Sequence, residues 1–254
     1  MNSSFQKACI TGTAVAMWLA LASGCNTSTE GAAGNVSFTP DDCGLVGGCD
    51  FASGLGVGGA AVVQISGLGS FSTAGVDLAS DDLSVLTVDA IPDVNGKPAW
   101  EIFGMAPGLA RLAAIDPGGK EVDAILVEVV TPARFTMHDF GNHAVGPQND
   151  RPGYDEHWLV DAGQEVILLV TPVDEGEKPI MGRYEYTTVI ETAAFDAFIK
   201  NRNDLAKGTL DFLATEPGEY GVRFNGVGST ASLAVLIEAV VTSSTGLDGS
   251  IRGR

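Results

Sequence analysis

This chain repeats itself, and that constrains its fold more than any other feature. Ala106-Pro107-Gly108-Leu109-Ala110-Arg111-Leu112 matches Glu216-Pro217-Gly218-Glu219-Tyr220-Gly221-Val222 at an offset of 110 residues. At the same offset Leu126-Val127-Glu128-Val129-Val130 falls on Leu236-Ile237-Glu238-Ala239-Val240. Two separate stretches that agree on one offset imply two tandem copies of one folding unit. Upstream, Val62-Val63 matches Val166-Ile167 at an offset of 104, which places six extra residues in the second copy around Asp174-Glu175-Gly176-Glu177-Lys178-Pro179. That stretch is turn-rich, and lengthening a surface loop costs little closure entropy.

Within each copy, short apolar–polar alternations are broken by Gly, Pro, Asn and Asp, the pattern of an all-β sandwich or barrel. Residues 62–65, 83–88, 100–103, 110–114 and 124–130 read as strands of the first copy. Residues 165–170, 184–189, 210–213, 220–224 and 233–240 read as strands of the second. Residues 193–200 suit an amphipathic helix on propensity alone. The repeat sets them opposite the β-branched 83–88 and so predicts a strand, with a short helix as the alternative. Trp100 and Trp158 are candidate core residues, one per copy. Thr131-Pro132-Ala133-Arg134 is the expected junction, because proline cannot continue a strand ladder.

The first 24 residues read as an export signal. Lys7 supplies the positive charge and Ala14 to Ala22 the apolar run. Nine apolar residues in helix cover about 14 Å, too short for a hydrocarbon layer of roughly 30 Å. The stretch Leu21-Ala22-Ser23-Gly24-Cys25 resembles the lipobox of bacterial lipoproteins, with Ala22 where the commonest form has Leu. The resemblance implies cleavage before Cys25, diacylglycerol on its thiol and acylation of the new amine. The residue after Cys25 is Asn26 rather than Asp, which by the same resemblance favours the outer over the inner membrane. The alternative is an ordinary signal peptide with an incidental cysteine. Residues 26–35 are small, polar and aperiodic, as a flexible tether would be.

Loss of residues 1–24 removes one basic residue, leaving 13 basic against 32 acidic and a net charge of −19. Such a surface repels nucleic acid and anionic head groups, so nucleic acid is not an expected partner. With Cys9 in the signal and Cys25 lipidated, Cys43 and Cys49 remain, and in an exported chain they are expected to form a disulfide. A zinc site would need four ligands, and the next soft one is His138.

The first copy resembles the bacterial Ig-like domains of surface adhesins. The residues that carry this are Ala79-Ser80-Asp81-Asp82-Leu83-Ser84-Val85-Leu86-Thr87-Val88, followed by the alternating 106–112. In the second copy, Pro217-Gly218-Glu219-Tyr220 is similar to the corner tyrosine of Ig-type sandwiches. The organisation implied is a signal over 1–24, a flexible tether over 25–44, Ig-like sandwiches over 45–131 and 132–241, and a disordered tail over 242–254.

Candidate chemistry is sparse. His138, His143 and His157 share a segment with Asp139, Asp150, Asp155 and Glu156, and imidazoles with carboxylates suit zinc or copper. Their spacing matches no ligand motif, and a polar loop accounts for them as well. Asp41-Asp42, Asp50 and Asp81-Asp82 suit either calcium or ordinary turn capping, the turn being favoured. Gly54 to Gly59 lacks the Lys-Ser/Thr of a phosphate loop, and no Gly-x-Ser-x-Gly elbow is present. The expectation is a non-enzymatic, membrane-anchored envelope lipoprotein with no cofactor or metal, whose partner is a protein or polysaccharide of the envelope. The alternatives are a metal- or ligand-binding module using the His138–His157 segment, and an accessory subunit of an envelope machine.

Overall fold

The computed structural model describes residues 27–44, 49–141, 143–148 and 150–241. The signal segment, Cys25 and the tail 242–254 lie outside these. The first sandwich comprises β1 (Thr29–Glu30), β2 (Val36–Asp41), β3 (Leu55–Gly56), β4 (Ala60–Gly67), β5 (Asp77–Ser80), β6 (Leu86–Val94), β7 (Lys97–Gly104), β8 (Gly108–Ile115) and β9 (Glu121–Val130). One sheet has the order β1-β2-β4-β7-β6 and faces a second of order β3-β9-β8-β5. In the lettering of Ig sandwiches, β2-β4-β7-β6 is A-B-E-D and β9-β8-β5 is G-F-C, with β3 running parallel to β9 on the far edge.

The second sandwich repeats the plan with β10 (Arg134–Asp139), β11 (Ala144–Gln148), β12 (Glu156–Asp161), β13 (Glu165–Val173), β14 (Tyr186–Ile190), β15 (Thr209–Leu213), β16 (Gly218–Gly226) and β17 (Ser232–Val240). Its sheets are β10-β13-β15, or A-B-E, and β11-β12-β17-β16-β14, in which β12 runs parallel to β17. The protein is therefore all-β, two Ig-like sandwiches in tandem. Alternation gives each strand one core face: Phe38, Val63, Trp100, Ile102, Leu112 and Val127 fill the first core. Phe135, Trp158, Leu168, Phe212, Phe224 and Ile237 fill the second. Tyr220 closes the E–F corner of the second, its hydroxyl donating to the Glu216 carbonyl at 2.7 Å.

The register makes the repeat quantitative. Gly108 pairs with Val129 and Gly218 with Ala239; Leu112 pairs with Ile125 and Val222 with Val235. The F–G hairpins thus coincide at 110. The B strands do not fit the offset of 104. Ala61, Val63 and Ile65 face inward on β4, and Val166, Leu168 and Val170 on β13, so the offset is 105. A one-residue slip would turn each of these side chains outward, and both runs are apolar on adjacent positions, which hid the slip. The second copy carries its extra length between β13 and β14.

Three further expectations are corrected. Residues 83–85 form a turn, and the strand starts at Leu86. Residues 193–200 are not a strand: Ala193–Phe198 is a 3-10 helix, followed by the single α-turn Arg202–Leu205. A three-residue period puts Phe195 and Phe198 on one side, and both rings meet Tyr220, at 5.3 and 5.4 Å between centroids. The alanines around them are poor strand formers, so the second sandwich loses strand D and gains an aromatic plug.

The tether expected over residues 25–44 is also corrected, because the described part of it, residues 27–44, belongs to the first sandwich. β1 pairs with β2, and β2 with β4, inside the first sandwich. The buried Asp123 carboxylate of β9 holds the segment down: Oδ1 accepts from the Ala33 and Ala124 N–H groups, and Oδ2 from those of Asn35 and Val36, at 2.7 to 2.9 Å. Burial works against its ionisation, but four backbone donors outweigh it and hold the carboxyl below the usual range. Even Thr27 is fixed, its N–H donating to the Cys49 carbonyl at 3.0 Å.

Candidate functional site at the joint between the sandwiches

The extra residues of the β13–β14 connection are what joins the two sandwiches. Asp174 organises a tight turn by accepting the Gly176 and Lys178 N–H groups. The chain then runs along the first sandwich as a short ladder. The Gly56 N–H donates to the Met181 carbonyl and the Met181 N–H to that of Gly54, while Ala60 and Arg183 exchange N–H and carbonyl in both directions. Met181 inserts fully into the first core. Each such hydrogen bond contributes only about 1 kcal/mol net, but together with the buried methionine they fix one domain against the other.

The seat for this ladder is built by the disulfide and the glycine-rich stretch. Cys43 and Cys49 are bonded, Cα to Cα 5.9 Å, and buried in the first core. The Cys43 carbonyl accepts the Gly182 N–H at 2.9 Å. A side chain at Gly56 would collide with the Tyr184 hydroxyl, which donates to the Val57 carbonyl at 3.0 Å. Gly58 has φ +80°, and a Cβ there would lie 2.9 Å from the Gly228 carbonyl oxygen. The glycines admit a neighbouring domain rather than a phosphate. Arg183 completes the joint by pairing with Asp42 and, at 2.5 Å, with Glu101. Tyr184 passes into the second core, where burial pushes its phenol far above the usual range.

Beside the joint lies a cleft of about 570 Å³, walled by both sandwiches. Ala60 and Phe103, partners across β4 and β7, line it from the first. Glu185, Lys207, Val227 and Gly228 line it from the second. Arg183 is committed to its two carboxylates, whereas Glu185 and Lys207 are exposed and form no ion pair among the described residues.

The residues singled out in sequence fall elsewhere. His138 and His143 are exposed, whereas His157 is buried. Its Nδ1 lies 2.7 Å from Asp150 and its Nε2 3.1 Å from Glu238, with Arg151 pairing to Glu238 and Glu219 beside it. The hydrogen bond with His157 holds the Asp150 carboxyl below its ordinary range. This network ties residues 150–157 over the outer face of β16 and β17, and the three histidines do not converge. Among the described residues no three His, Cys, Asp or Glu side chains are placed to hold a metal ion. Asp50 caps a 3-10 turn through the Ala52 N–H, and Asp82 accepts from Ser84, both as turn residues do. Trp100 and Trp158 sit in the two cores, their indoles donating to Asp77 and Glu156. Arg183, Glu101, Phe103 and Lys207 carried no local signal in sequence; the extra length between the B and C strands was the one pointer to them.

No family model matches the chain, and no curated protein does. Among solved structures it is similar to domains 5–6 of the S-layer protein SbsC, at 18% identity over 86% of this chain and all of that one, with a TM-score of 0.29. It is similar to the D00-D0 domain of intimin at 13% identity over 73% and 94%, TM-score 0.25. It is also similar to SGBP-B of the Bacteroides ovatus mixed-linkage glucan utilization locus, at 11% identity over 75% and 45%, TM-score 0.31. Likenesses this distant define no family, and the strand order alone assigns the fold.

Proposed function

We propose that the protein is an exported, non-enzymatic envelope lipoprotein that is anchored through lipid on Cys25, in the outer membrane, and displays two Ig-like sandwiches as one stiff unit to a protein or polysaccharide of the envelope. The observation that carries this reading is the joint. A backbone ladder, a buried methionine and an arginine shared by two carboxylates hold the domains in one arrangement, as a spacer or display module requires and a flexible string of domains does not. The lipobox-like Leu21-Ala22-Ser23-Gly24-Cys25 supports the anchor, and the disulfide fits an oxidising compartment.

Metabolic labelling with radioactive palmitate, followed by membrane fractionation, tests the anchor. The parent should carry label and sediment with outer membranes, and Cys25→Ser should lose both properties. An unlabelled parent refutes the lipid reading. Small-angle scattering tests the stiffness: one narrow distance distribution is expected, and a broad one refutes a fixed joint.

A further inference from the structure

We propose that the interdomain cleft binds an uncharged segment of a polysaccharide. The proposal deepens the binding role above by naming the ligand class. Its volume of about 570 Å³ lies within the range of about 300–1,000 Å³ usual for small-ligand sites, and the joint keeps its walls fixed, so binding carries little ordering cost.

The lining selects the chemistry. Phe103 stands on the solvent side of β7, where its neighbours Glu101 and Trp100 show the expected outward–inward alternation. The protein covers its ring only in part, and what is left open forms a wall of the cleft. With Ala60 and Val227 it gives the cleft an apolar lining suited to the C–H face of a pyranose ring. In the same lining, Glu185 offers carboxylate acceptors and Lys207 ammonium donors, which hydroxyl groups satisfy without bringing charge of their own. Arg183 already has both its carboxylates, so it does not call for an anionic ligand. A polyanion is further opposed by the net charge of −18. A polycation gains nothing particular at the cleft, where Lys207 stands with Glu185, because carboxylates attract it over the whole surface.

The test is calorimetric titration of the mature protein, purified in detergent, with cellohexaose, maltohexaose, xylohexaose and N-acetylchitohexaose. Hexagalacturonate and hexalysine serve as charged controls. At least one neutral hexasaccharide should bind, and Phe103→Ala should weaken it by about tenfold or more, about 1.4 kcal/mol. Glu185→Gln and Lys207→Met, both at exposed positions, should each weaken it several-fold without affecting the fold. The proposal is overturned if none of the four binds at about 10 mM, if only a charged control binds, or if the three substitutions leave affinity unchanged. Palmitate labelling at Cys25 is independent of all these outcomes, so failure here leaves the anchor reading standing.

Discussion

Replacing Asp123 by Asn should detach the N-terminal segment from the first sandwich at a cost that its four hydrogen bonds allow one to work out. Each carboxylate oxygen accepts one fully buried and one partly buried N–H: Oδ1 those of Ala124 and Ala33, Oδ2 those of Val36 and Asn35. An amide keeps one oxygen and turns its NH₂ on the other pair. Whichever way it lies, one buried donor and one partly buried donor lose their acceptor. A buried donor left unpaired costs about 1–3 kcal/mol, the partly buried one less because water reaches it, and the surviving bonds lose their charge assistance; the total is about 3 kcal/mol. Urea unfolding in a Trp158→Phe background, where Trp100 reports the first sandwich, measures it. Acid provides a second readout. The folded carboxyl titrates below the ordinary value of about 3.9, so its stabilisation is present above that pH and lost as pH falls through the lowered folded value. The gap between parent and variant should therefore close in acid. A variant within about 0.5 kcal/mol of the parent at neutral pH, with residues 29–36 equally protected from hydrogen exchange, would refute this account of how the segment is held.

Other perturbations separate the parts of the joint. Arg183→Ala removes ion pairs that are a third or more exposed, so global stability should fall by no more than about 1 kcal/mol. The scattering distance distribution should broaden all the same; an unchanged profile would mean that the backbone ladder alone fixes the domains. Replacing Cys43 and Cys49 together by Ser should cost about 2 kcal/mol in the first sandwich. It should also speed hydrogen exchange at the Gly182 amide, whose acceptor is the Cys43 carbonyl, and slow exchange retained there would separate the disulfide from the joint. All four tyrosines are shifted upward, chiefly by burial, with Glu191 adding to the shift at Tyr154. Their neutral forms favour the fold fully below about pH 10, and that contribution is lost as pH rises through the folded values. Tyr184 and Tyr186, the most strongly shifted, should therefore ionise only with alkaline unfolding; their ionisation at about pH 10 in the folded protein would contradict the burial.

The parts of the fold that sequence revealed are those fixed by local pattern. The F–G hairpins coincide at 110 because their strands are the same distance apart in both copies, and 106–112 and 216–222 show it directly. The parts that stayed hidden depend on distant partners. Val36-Ser37-Phe38-Thr39 alternates as a strand should, but the polar residues before it look like a linker until Asp123, nearly ninety residues away, supplies acceptors. Phe195 and Phe198 favour a 3-10 turn only because Tyr220 receives both rings. Nothing in the chemistry of 179–184 names Gly54, Gly56 and Ala60 as its strand partners, so the joint, and with it the cleft, was legible only as surplus length.

The fixing of Thr27 has a consequence for how the molecule would stand on a membrane. Two residue steps separate Thr27 from Cys25, at most about 7 Å of extended chain. The Cys49 carbonyl that holds Thr27 belongs to the disulfide loop, and the other half of that disulfide holds Gly182 of the second sandwich. A lipid on Cys25 would therefore moor the protein amidships, at its waist, and not by one end. The lipid would then have no more than that short reach to the fold, and the joint, rather than a free tip, would face the anchor.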